Sequence, residues 1–148
     1  MSLTNEAENL LVLLLFNNTN WANIGDATGL RGSTTAGVFY ISLHTADPGE
    51  TGDQTTSEAN YTGYARVSVN RASGAGGFTI SADTASNTSA VTFGACTAGS
   101  STCTFFGFGT ASSGAGHLVV SGALTASLAV TAGITPSAAA SALTATAA

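Results

Sequence analysis

His44 stands three residues before Asp47, and Glu50, Asp53 and Glu58 follow along one polar stretch that begins Thr45-Ala-Asp-Pro-Gly-Glu-Thr-Gly-Asp53. An imidazole and several carboxylates so close together are the materials of a general acid–base pair or of an oxygen-rich cation site. The spacing supports neither. A calcium loop of the EF-hand kind needs ligands at alternate residues and a closing glutamate, and this stretch has no such pattern. Asp47-Pro-Gly-Glu50 instead has the chemistry of a type II turn, with proline presetting φ at the second position and glycine supplying φ > 0 at the third. Aspartate at the first position often hydrogen-bonds its own backbone. The expectation is a strand running into a turn, with no metal, no cofactor and His44 on the polar side of its strand.

The other candidates are weaker still. Cys96 and Cys103 have six residues between them, too many for a short-spaced zinc pair. If they flank a loop between facing strands, a disulfide closing it would add about 2–3 kcal/mol; two buried thiols fit as well. There is no Gly-x-Ser-x-Gly elbow. The glycine-rich run Gly107–Gly114 lacks the Gly-Lys-Ser/Thr that cradles phosphate. No catalytic residues are assigned, and the chain is not expected to be an enzyme. Arg66 has two open roles, an internal salt bridge to the acidic 47–58 loop or a bidentate contact across a subunit interface.

Composition points to an interacting surface. The 148 residues include no lysine and only Arg31, Arg66 and Arg71 as cations, against eight carboxylates, for a net charge of −5. Without a basic patch, nucleic-acid binding is excluded as an expectation. Charged residues are 7% of the chain, where a freely soluble surface carries about a quarter. Ala, Ser, Thr and Gly fill the surface instead. Such a surface is easily desolvated and suits a protein packed against copies of itself or against another shell. The apolar run Leu10–Phe16 falls far short of the ~20 residues of a membrane span. Glu6 and Glu8 stand where an export signal would be positive, so no leader and no membrane partner is expected.

Residues 4–16 read as a helix, with Asn5 and Glu8 as a capping box. Leu3, Ala7, Leu10, Leu11, Leu14 and Leu15 form its stripe, which Val12, Leu13 and Phe16 widen nearly all round. A helix apolar on every side needs cover that one small sheet does not give, so a second subunit is expected there. Residues 22–37 read as a loop around Trp21 and Arg31. From Val38 the period becomes two, with Phe39, Ile41 and Leu43 opposite Tyr40, Ser42 and His44. Further strands are marked by Ala65–Val69, by Phe78 and Ile80, by Val91–Ala95 and by Cys103–Gly109. Leu118 with Val120 begins a sixth and Leu124–Val130 forms a seventh. The expected fold is one mainly β domain, an antiparallel β-sandwich of jelly-roll or Ig-like kind with seven to eight strands over 38–135. The N-terminal helix (1–20) precedes it, and a C-terminal arm (136–148) follows as a loose tail or one edge strand.

The helix followed by Phe39-Tyr-Ile-Ser-Leu-His-Thr-Ala-Asp-Pro-Gly-Glu50 and Gln54-Thr-Thr-Ser-Glu-Ala-Asn-Tyr-Thr-Gly-Tyr-Ala-Arg-Val67 has a familiar arrangement. Phe106-Gly-Phe-Gly-Thr-Ala-Ser-Ser-Gly-Ala-Gly-His-Leu118 and Ser121-Gly-Ala-Leu-Thr125 complete it. Over about residues 3–135 the chain resembles a family of small virion structural proteins of tailed bacteriophages, labelled tail-fibre proteins and similar to capsid decoration (cement) proteins. The resemblance implies a place in the virion and carries no catalytic residues. A fibre shaft needs heptads or repeats, and none is present. The expectation is therefore a decoration protein that binds the major capsid protein on the assembled head as a symmetric oligomer, a trimer, and stabilises it by mass action. Leu10, Leu11, Leu14, Leu15 and Phe16 would pack that oligomer or its base, and Asp47, Glu50, Asp53, Glu58 and Arg66 would meet neighbours. The alternative is a tail-fibre, tail-tip or baseplate component, or a host-receptor adhesion module on the same sandwich.

Overall fold

The computed structural model describes residues 2–25, 29 and 32–147. Arg31, expected in the loop after the helix, lies outside the described residues. The elements in chain order are α1 (Asn5–Asn17), β1 (Val38–His44), β2 (Val67–Asn70), β3 (Phe78–Ser81) and β4 (Thr84–Asn87). Then come β5 (Val91–Thr92), β6 (Ser100–Gly109), β7 (Leu118–Thr131), β8 (Ser137–Ala138) and β9 (Thr144–Thr146). The fold is mainly β, as expected, with nine strands among the described residues in three antiparallel sheets. The chain gathers into two compact units.

The first unit comprises Met1–Val38, Val69–Ser89 and Ala140–Ala148. Its sheet has the order β3-β4-β9, and α1 lies against β3 and β4. Thr4, and not Asn5, caps the helix: its backbone is extended and its hydroxyl accepts from the Ala7 N–H. Glu6 and Glu8 still sit in the first turn, where the helix dipole favours them. Asn18 closes the other end in the left-handed region, which asparagine tolerates. The buried stripe is Val12 and Phe16, one turn apart. Phe16 meets Phe78 edge-on with ring centroids 4.9 Å apart, and Ala85, Leu143 and Ala145 are also buried in this unit. Arg71 donates from Nε to the Leu15 carbonyl (2.6 Å) and from Nη2 to the Leu14 carbonyl (2.8 Å). It thereby satisfies acceptors that every helix C-terminus leaves open.

One expectation changes in this unit. Thr-Ala-Ser-Asn over 84–87 is a strand, β4, although only Ala85 and Asn87 are buried in it. Of the two forms open to the tail, it takes the edge strand. β9 pairs with β4 in register Ala85↔Ala145, and Asn87 accepts the Leu143 N–H on its side-chain oxygen at 2.9 Å.

The second unit comprises Phe39–Ser68 and Ala90–Ala139. It holds most of a four-stranded sheet of order β2-β1-β6-β7 and a two-stranded sheet β5-β8. β1 and β6 pair with Ile41↔Phe108 and Leu43↔Phe106. Phe39, Ile41, Leu43, Phe106 and Phe108 thus share one face and form the core, with the Phe106 and Phe108 rings 5.4 Å apart. Ser42 and His44, on the opposite face of β1, are buried too. Residues 45–60 fold back over that face as a strap, pairing at His44↔Glu58.

The sixth and seventh strands expected from the pattern are one strand, β7. Gly122, between the two expected strands, is needed for space, since a Cβ there would lie 2.7 Å from the Phe106 ring. The register shifts at two other places. Phe108 pairs with Val120 and Gly109 with Leu118, which skips Val119, and Cys103 pairs with Leu128 and Phe105 with Ala123, so β7 also bulges over 124–127 without turning back.

Candidate functional site

The chemistry-bearing residues of the second unit collect beneath and along the strap. The type II turn expected at Asp47–Glu50 is displaced. The Asp47 carboxylate accepts the Gly49 N–H at 2.9 Å, and the backbone turn closes later, from the Gly52 N–H to the Gly49 carbonyl. Gly49 has φ +70°, which explains the glycine there. Asp53 Oδ1 accepts from the Thr55 N–H and hydroxyl at 2.8 and 2.6 Å. Those bonds hold its carboxyl below the ordinary carboxylate range. Glu50 is exposed. Each of these acids ends in local turn chemistry or solvent, and no group of three His, Cys, Asp or Glu side chains suited to a metal occurs among the described residues.

Arg66 and Glu58 are the pair that the fold does bring together. Arg66 Nε meets Glu58 Oε1 at 2.6 Å and Nη2 meets Oε2 at 2.8 Å, a bidentate fork. The remaining donors reach the Ala111 carbonyl (Nη1, 2.9 Å) and the Gly114 carbonyl (Nη2, 2.8 Å). The side chains are 2% and 16% exposed. Of the two roles open to Arg66 in the sequence, the structure displays the internal bridge, with the guanidinium clamping the β6–β7 loop. Hydrogen bonding to Glu58 first of all raises its pKa. Tyr64 joins the cluster by donating to Glu58 Oε1 (2.9 Å) while accepting the Leu43 N–H (3.0 Å). Burial chiefly pushes its phenol far above the usual value. Gln54, which carries no sequence signal, fills a slot left by Gly109 and Gly116 and accepts the Ala111 N–H at 2.9 Å.

His44 lies wholly inside. Its Nδ1 is 2.8 Å from the Thr56 carbonyl, which can only accept, so Nδ1 carries the proton. Nε2 then accepts from the Ser42 hydroxyl, also at 2.8 Å. This Ser–His pair has the atoms of a nucleophile and its base, but both residues are sealed from solvent and no substrate reaches them. Burial is the largest cause that lowers the His44 pKa below 6.5, partly offset by the Thr56 bond. A base with a depressed folded-state pKa leaves stability intact above its unfolded value and loses it as the pH falls through the folded one. Stability should therefore decline below pH 6.5. His44→Gln, which retains a donor and an acceptor, should flatten that decline in urea melts compared at pH 8 and pH 5. An unchanged pH dependence would rule His44 out as its source.

Cys96 and Cys103 are both buried and free. Cys96 Sγ approaches the Ala98 carbonyl at 3.4 Å, and burial pushes the Cys103 thiol up. Of the residues assigned to a helix interface, Phe16 belongs to the core, whereas Leu10, Leu11, Leu14 and Leu15 are half-buried. Val12, which the sequence offered only as a widening of the stripe, is the other core residue. Every buried side-chain nitrogen or oxygen among the described residues has a partner.

The Arg66, Glu58 and Tyr64 side chains bind one another, and Arg66 also holds the carbonyls of the 110–117 loop. Residues 2–146 match the family described as Podophage GP4 fiber I protein gp80. The chain belongs to this family and is a bacteriophage virion structural protein. No curated protein matches it.

Proposed function

We infer that the chain is a non-catalytic subunit of the phage fibre apparatus, working by docking on other virion proteins and on copies of itself. The observation that carries this is the half-buried Arg66–Glu58–Tyr64 cluster, in which the ionised groups are used to fix loops. Family membership supports the fibre assignment, since the description is that of a fibre protein. No described element is long enough for a shaft: the helix has 13 residues and the longest strand 14. The chain is then the attachment piece or a compact module of a fibre, and any shaft belongs to a partner.

The same shortness favours a second reading, a decoration protein bound as a symmetric trimer to the major capsid protein. In both, the half-buried leucines of α1 are the natural packing surface between copies. Copy number separates them. Quantitative mass spectrometry of purified virions should give tens of copies or fewer for a fibre piece, and hundreds for a decoration protein. Hundreds of copies would overturn the fibre reading.

A further inference from the structure

From Ala140 onward the chain belongs to the first unit, although β8, the strand just before, lies in the second. This arm fills a prepared place. Leu143 and Ala145 are 1% and 4% exposed there, and β9 covers one edge of β4. Outside the ladder, the hydrogen bonds of the arm go to the two ends of β4. Asn87 accepts the Ser141 N–H on its carbonyl (2.8 Å) and the Leu143 N–H on its side chain (2.9 Å). The Asn87 N–H reaches the Leu143 carbonyl (3.3 Å), and the Ala147 N–H closes on the Asp83 carbonyl (3.0 Å). All of these bonds join the arm to residues 83–87, so the arm of another copy would make the same set.

The strain lies in the connection. Ser141, in the turn between β8 and β9, is held at φ +61°, a left-handed conformation that a side chain makes unfavourable. Ala140, Ser141 and Ala142 are exposed, so the turn can straighten without uncovering a core. A strand docked by a full set of bonds but joined through a short strained turn invites copies to exchange it, because a straightened turn sheds its strain and the docked strand loses no contact. We propose that neighbouring copies of this chain exchange the arm, β9 of one pairing with β4 of the next. The proposal rests on the reading above that the protein docks on copies of itself in the virion, and it names the surface. Repetition in a particle supplies the local concentration that exchange requires.

Thr84 and Thr146 are register partners with their hydroxyls 2.9 Å apart on the outer face, close enough for two cysteines to bridge. The test grows phage in cells that make two variants together, Thr84→Cys and Thr146→Cys, and oxidises the purified particles. The expected product is a reducible pair with one chain of each kind, which neither variant yields alone. The double variant, with both cysteines in one chain, should likewise join copies; closure within single chains would overturn the exchange. Particles that hold both variants without the joined pair would overturn the exchange and leave the virion reading standing. Particles that lack the chain would overturn that reading and the exchange with it. The turn gives an independent readout. Ser141→Gly, which accepts the left-handed region, should lower the joined fraction about threefold, and Ser141→Val, which resists it, should raise it. Equal fractions in the two would overturn the strained turn as the cause.

Discussion

Arg66→Met should lower the free energy of unfolding by about 3 kcal/mol, because removing one partner of a buried pair strands the other. Glu58 would lose both arms of its fork and keep only Tyr64. The Ala111 and Gly114 carbonyls would lose their donors as well. Arg66→Lys keeps the charge but reaches at most one or two of these four acceptors, so an intermediate loss is expected. Adding Glu58→Gln to Arg66→Met should recover part of the deficit, since no carboxylate is then left unpaired. Urea denaturation of the three variants measures this. A loss below about 1 kcal/mol for Arg66→Met would show that the pair behaves as an exposed one. Hydrogen exchange gives a second readout: amides of 110–117 should lose protection, because the guanidinium and Gln54 hold that loop.

What the sequence disclosed follows from where apolar residues alternate. β1, β3 and β6 bury large side chains on one face, so period two shows in them plainly. β4 and β9 do not. Their exposed faces pair hydroxyl with hydroxyl, as in Thr84 with Thr146 at 2.9 Å, and their buried residues are Ala85, Asn87 and Ala145. An alanine-rich polar segment looks like a loose tail until its partner strand is known. The pattern reads the single strand β7 as two, and its Gly122 makes room for the Phe106 ring without turning the chain. At the site, the scarcity of cations singled out Arg66, and the acidic loop supplied its partner, but only the folded strap shows the internal bridge to be made. His44 could not be read as buried, since the cover over its face is the chain's own return. The signal for Arg71 was the same scarcity, and its target is a pair of carbonyls, which no sequence pattern marks.

The helix provides the sharper contrast. Phe16→Ala should cost about 3–5 kcal/mol, the usual penalty for emptying an aromatic site in a packed core. Phe16 is almost fully enclosed and edge-on to Phe78, so little can collapse into the gap. Leu14 sits two residues earlier on a half-buried position. Leu14→Asp should therefore cost less than Phe16→Ala in folding, yet abolish binding to virion partners if the leucines pack between copies. The two substitutions thus separate stability from assembly on one helix. Thermal melts with sedimentation of mixed particles read both quantities. A Leu14→Asp protein that folds and still joins particles would remove α1 from the assembly surface.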